Sequence, residues 1–107
     1  MNVARKMRCY NSGQIGGIGY LTVISNFRKA NEEITRMGLY PVSPLDNGLR
    51  PSRPWVLHMA VDILILASCG NAYFQKNWKK SRGARIEYWM AKFLGITIWF
   101  AENEGYE

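Results

Sequence analysis

The stretch CYNSGQIGGIGYL, residues 9–21, places four glycines in seven positions directly after a short apolar run. Each glycine costs folding entropy and adds no side chain to a core. Such a loop, set between a strand and a helix, is the joint from which parallel α/β sheets are built. Upstream, MRCYN (Met7 to Asn11) reads as the first strand. Downstream, a helix is expected from Tyr20 to Met37. There Val23, Phe27, Ala30, Ile34 and Met37 form one apolar face, with Gly38 placed to end it.

The same alternation continues to the other end. LYPVS (Leu39 to Ser43) reads as a second strand, its proline favouring an edge. Asp46 to Pro54 reads as a loop, free to move and carrying Arg50 and Arg53. A nearly all-apolar helix follows from Trp55 to Ser68, a pattern that expects neighbours on most sides. NAYF (Asn71 to Phe74) is a short third strand and QKNWKK a basic loop. Ser81 caps a third helix ending at Gly95, and ITIWF (Ile96 to Phe100) reads as a buried fourth strand. Strand and helix in turn predict a parallel sheet with helices on both faces and right-handed crossovers. Ligands bind such sheets beyond the carboxyl ends of the strands. The glycine loop and the basic loop should therefore face one crevice.

Composition sets outer bounds. The 107 residues fit one domain, with a core over 7–100 and an acidic tail over 101–107 expected to fray. Fourteen basic residues against eight acidic ones leave +6, which favours anionic partners. Without a long basic stripe, nucleic acid is a disfavoured partner. Cys9 and Cys69 lie in apolar surroundings and read as reduced, buried and structural. One histidine, His58, and two scattered cysteines argue against a zinc site. No signal peptide is visible, and the longest apolar stretch is broken by His58 and Asp62 and too short for a bilayer. The expectation is a cytoplasmic protein without membrane association.

Three patches carry candidate chemistry. The loop reads G-x-x-G-G-x-G from Gly13 to Gly19, which matches neither the dinucleotide fingerprint nor the P-loop. It is either a wide turn or a bare backbone approached by a ligand ahead of a helix N-terminus. In SRGARIE (Ser81 to Glu87), Ala84, Glu87, Ala91 and Leu94 share a row, while Ile86, Met90 and Phe93 form another. Glu87 either makes a half-buried salt bridge to Arg82 or Arg85, or points back toward the crevice. Asp62 sits inside VLHMAVDILILA. It either pairs with His58 one turn earlier or is a proton-donating carboxyl in a low-dielectric crevice. The KNWKK turn is either solvated or grips phosphate and stacks a base. Trp55 and Trp89 read as packing or interface residues.

Together the patches resemble the nucleoside 2-deoxyribosyltransferases and the related 2′-deoxynucleoside 5′-phosphate N-hydrolases, from about Met7 to Phe100. YNSGQIGG is similar to the opening Y-x-x-G-x-I-x-G of that family. WVLHMAVD is similar to its middle helix with an aspartate, and SRGARIE to its S-x-G-x-x-x-E segment. Small, often phage-borne members of the group are the closer likeness. The resemblance implies a Rossmann-like (flavodoxin-like) three-layer α/β sandwich with a parallel sheet of about four strands. It implies Glu87 as nucleophile at the anomeric carbon, Asp62 as proton donor to the base, and Tyr10 as hydrogen-bond partner of the glutamate. Gly13 and Gly16 would let main chain approach the ligand, with Gln14, Ile15, Gly17 and Gly83 beside them. Ser81 stands where the phosphate-hydrolysing relatives also carry serine, and Lys79, Lys80 and Arg82 surround it, which favours a 5′-phosphorylated ligand. Relatives commonly carry an aspartate near Gly70-Asn71 that is absent here. The resemblance further implies a homodimer or higher homo-oligomer with shared sites, and no cofactor or metal. Three functions compete. One is N-glycosidic cleavage or deoxyribosyl transfer on a nucleoside 5′-monophosphate. Another is a protein on the same fold that sequesters or senses a nucleotide. The weakest is nucleic-acid binding.

Overall fold

The computed structural model describes residues 3–50 and 52–101. The acidic tail expected beyond Ala101 lies outside the described residues. Seven main elements alternate: β1 (Arg8–Ser12), α1 (Tyr20–Arg36), β2 (Tyr40–Val42), α2 (Trp55–Ala67), β3 (Asn71–Phe74), α3 (Arg82–Leu94) and β4 (Thr97–Phe100). The strands form one sheet in the order β2-β1-β3-β4, and every neighbouring pair is parallel. The chain is thus a Rossmann-like α/β protein.

The strand order explains the layers. From β1 the chain steps one way to β2; from β2 to β3 and from β3 to β4 it steps the other way. A crossover of fixed right hand then puts α1 on one face and α2 with α3 on the other. Strand residues alternate between the layers. Cys9 and Tyr73 pack with Ala30 and Ile34 of α1. Tyr10, Ala72 and Phe74 pack with Leu66 of α2 and with Ala84 and Ala91 of α3. Because β1 and β3 lead away in opposite directions, their carboxyl ends border the switch point, the place where such sheets bind ligands.

Local signals set most boundaries. Val23, Phe27, Ala30 and Ile34 are buried along α1. Ser81 Oγ accepts from Ala84 N at 3.1 Å and caps α3, and Gly95 ends it in the left-handed conformation at φ 72°. Three expectations need correction. The fourth strand is the edge of the sheet among the described residues rather than a buried strand, and Thr97 and Trp99 are exposed. The loop over residues 46–54 is not free, because His58 Nε2 and the Arg50 carbonyl hold one another at 3.0 Å and Asn47 is bonded to α2. The apolar helix α2 has neighbours on one side only: Met59, Asp62 and Leu66 are buried, whereas Val56 and Leu64 are 71% and 72% exposed. Among the described residues, no helix is long and apolar enough to cross a membrane.

Candidate active site

Glu87 lies in the second turn of α3, beneath the carboxyl end of β1. Tyr10 and Ser12 are two apart on β1, so both face this layer. The Tyr10 hydroxyl donates to Glu87 Oε2 at 2.7 Å, and the Ser12 hydroxyl donates to Oε1 at 2.7 Å. Glu87 is 5% exposed, and its carboxyl group makes no ion pair among the described residues. The alternative salt bridge is not formed. Arg82 stacks instead on Trp55, 4.0 Å from the ring centre, and Arg85 donates to the Lys79 carbonyl. Burial pushes Glu87 up to about 7; the two hydroxyls pull the other way, and the Asp62 charge adds to the rise. Burial likewise drives the Tyr10 phenol well above its ordinary range, with the Glu87 and Asp62 charges adding to it.

Asp62 is buried on α2. Burial lifts its carboxyl above the ordinary value, against the Asn47 hydrogen bond and the nearby His58. The direct pair with His58 is absent. Asn47 Nδ2 stands between them, 2.9 Å from Asp62 Oδ1 and 3.2 Å from His58 Nδ1. The repulsion from Asp62 at both Glu87 and Tyr10 places the two acids in one electrostatic neighbourhood. Packing brings their helices together. A Cβ on Gly83 would lie 3.3 Å from Met59 Sδ, so a bare Gly83 lets α2 close on the first turn of α3. Met59 and Asp62 are one turn apart on α2, as Gly83 and Glu87 are on α3.

The glycine loop divides into two parts. A Cβ on Gly13 would lie 2.3 Å from Gln75 Cδ, so the buried Gln75 rests directly against the bare Gly13. That glutamine belongs to a network on the α1 side. Gln75 Nε2 donates to Asn11 Oδ1 at 2.7 Å, and Asn11 Nδ2 donates to the Phe27 carbonyl and to Asn31 Oδ1. Gln14 N donates to Asn77 Oδ1 at 3.1 Å, tying the glycine loop to the basic loop, and Gln14 Nε2 donates to the Gly16 carbonyl. Gly17 is left-handed at φ 86°, whereas a Cβ on Gly16 would meet nothing within 4 Å. Gly16 and the exposed Ile15 thus form the open part of the loop.

Lys79, Lys80 and Arg82 are exposed around the start of α3. Ser81 Oγ spends a lone pair on its cap but keeps a proton to donate. Trp78 is not a stacking platform for a base. It is buried against Phe74, Tyr88 and Phe100, with the Tyr88 ring centre 4.8 Å away. Both cysteines are free and buried, and burial pushes the Cys9 thiol up to about 12, which keeps it unreactive at neutral pH. A cleft of about 470 Å³ opens on the α1 side, lined by residues including Lys29, Glu33, Tyr73 and Lys76. It contains neither carboxyl group and lies across the sheet from them.

Ser12 and Asn47 were not singled out by the sequence. Ser12 carried a signal, since it alternates with Tyr10 on a strand. Asn47 carried none, as an asparagine before glycine reads as a turn residue. No curated protein matches the chain. Residues 7–100 match the model of a family described as a domain of unknown function (DUF4406), and the chain belongs to that family.

Proposed function

We propose that this protein cleaves the N-glycosidic bond of a nucleoside 5′-monophosphate, or transfers its deoxyribosyl group, with Glu87 as nucleophile and Asp62 as acid. One observation carries the reading: a buried glutamate with a hydroxyl donated to each oxygen, close enough to a second buried acid to feel its charge. Breaking the bond leaves an oxocarbenium-like centre at the anomeric carbon, which a carboxylate below the ring stabilises and captures as an ester. The bonding pair leaves with the base nitrogen, and the Asp62 proton neutralises it. Water then opens the ester, or a second base takes the sugar. The Tyr10 and Ser12 hydroxyls hold Glu87 in one rotamer with lone pairs free for the sugar. The open backbone at Gly16, the Ser81 hydroxyl and Lys79, Lys80 and Arg82 at the start of α3 suit a 5′-phosphate.

A panel of nucleosides and their 5′-monophosphates, scored by chromatography for released base, tests this. Free base is expected from at least one monophosphate. Binding without turnover across the panel would leave a nucleotide-sequestering or sensing protein on the same fold.

A second copy of the chain is the proposed cover for the outer face of α2 and α3. These helices lie side by side on one sheet face, and Val56, Leu64, Trp89 and Phe93 there are 71%, 72%, 66% and 84% exposed. Leu57, Ile86 and Leu94 of the same two helices are exposed as well, and a concentration of exposed large apolar side chains marks an interaction surface. Sedimentation is expected to give about twice the 12.3 kDa chain mass, and Phe93→Glu combined with Leu64→Glu should give the single chain. A wild-type monomer at high concentration would remove this proposal.

A further inference from the structure

Among the described residues, the loop between β2 and α2 reaches Asp62 through the Asn47 side chain. Its orientation is fixed by its neighbours. Leu49 N donates to Asn47 Oδ1 at 3.0 Å, so the other amide atom is the NH₂ group. That group reaches Asp62 Oδ1 at 2.9 Å and His58 Nδ1 at 3.2 Å, spending both hydrogens. His58 Nδ1 must therefore accept, and His58 Nε2 carries the proton that it donates to the Arg50 carbonyl at 3.0 Å. Asp62 Oδ1 faces a donor, whereas Oδ2 has no hydrogen-bond partner among the described residues and is not sealed in the core.

Resting on Asp62 as the acid, we propose that Asn47 is a positioning residue that confines the Asp62 proton to Oδ2, the oxygen open to the leaving base, and that neutral His58 holds Asn47 in the orientation that does so. An acid with its proton on Oδ1 would point it into the loop. Among the described residues, the charged or titratable groups facing Asp62 are His58 on its own helix, Glu87 on α3 and Tyr10 on β1. His58 faces Asp62 through the Asn47 bridge.

Two measurements on Asn47→Ala test this. The first follows the Asp62 carboxyl carbon by NMR through a pH titration, without ligand. Loss of a donor to the carboxylate should move its midpoint upward. The second compares two deoxyribosyl substrates, one with an ordinary base and one whose leaving group departs unprotonated. The variant should lose about tenfold in kcat on the first, part of what a positioned acid supplies, and little on the second. An unmoved Asp62 midpoint, or equal losses on both substrates, overturns the role given to Asn47. If the midpoint moves but the wild type releases no base from any substrate, the catalytic reading falls, and Asn47 is left as a partner of Asp62 without a reaction to position.

Discussion

Glu87→Gln is expected to lose base release by on the order of 10⁴-fold or more, as removal of a nucleophile does, while unfolding at a higher temperature than the wild type at pH 8. The second half follows from burial. A glutamate at 4.5 in the unfolded chain and about 7 in the folded one binds its proton more tightly when folded. Its contribution to stability is full below pH 4.5 and is lost as pH rises through about 7. That gap corresponds to about 3 kcal/mol. Glutamine stays neutral at every pH and keeps both contacts: Tyr10 still donates to its carbonyl, and its amide donates to Ser12. Thermal unfolding from pH 5 to 8 should therefore fall for the wild type and stay flat for the variant. At pH 8 the two should differ by on the order of 10 °C for a domain of this size. A variant equally inactive but less stable at pH 8 would mean that Glu87 is a structural group satisfied by its hydroxyls. A variant retaining turnover would remove it as nucleophile.

Asp62→Asn is expected to cost 10²- to 10⁴-fold on substrates with an ordinary base, the range for a general acid, and almost nothing where the leaving group needs no proton. The pH profile carries the same logic. The active form holds one proton between the two carboxyl groups, on Asp62 with Glu87 ionised, so the titrations belong to the pair. In the wild type, kcat/KM should rise as the doubly protonated form loses a proton and fall again as the last one leaves. Removing the Asp62 charge removes a repulsion that raises Glu87, so the Glu87 titration moves down in the variant. Steady-state rates on two leaving groups across pH check both statements. Equal losses on both substrates would show that Asp62 acts on structure rather than on proton transfer.

The legibility of this site follows the range of each interaction. Ser81 as a cap, Gly95 as a stop and the apolar face of α1 depend on residues within a few positions, and the sequence displays them. Asp62 and Glu87 stood out because a carboxyl in an apolar row is costly unless something answers it. The contact at Gly13 was hidden, since the glutamine resting on it is Gln75, far along the chain. The bridge at Asn47 was hidden as well, because its partners lie on another element.

By itself, the sequence determined the alternation of strands and helices, hence a parallel α/β sheet, because periodicity and capping are local and add up along the chain. Only the tertiary structure decided which glycines serve packing and which stay open, that Trp78 is core, and that α2 and α3 share an uncovered apolar face. It alone decided which donors meet each carboxylate oxygen. Those outcomes depend on contacts between segments far apart in the chain, set by strand order and the hand of the crossovers.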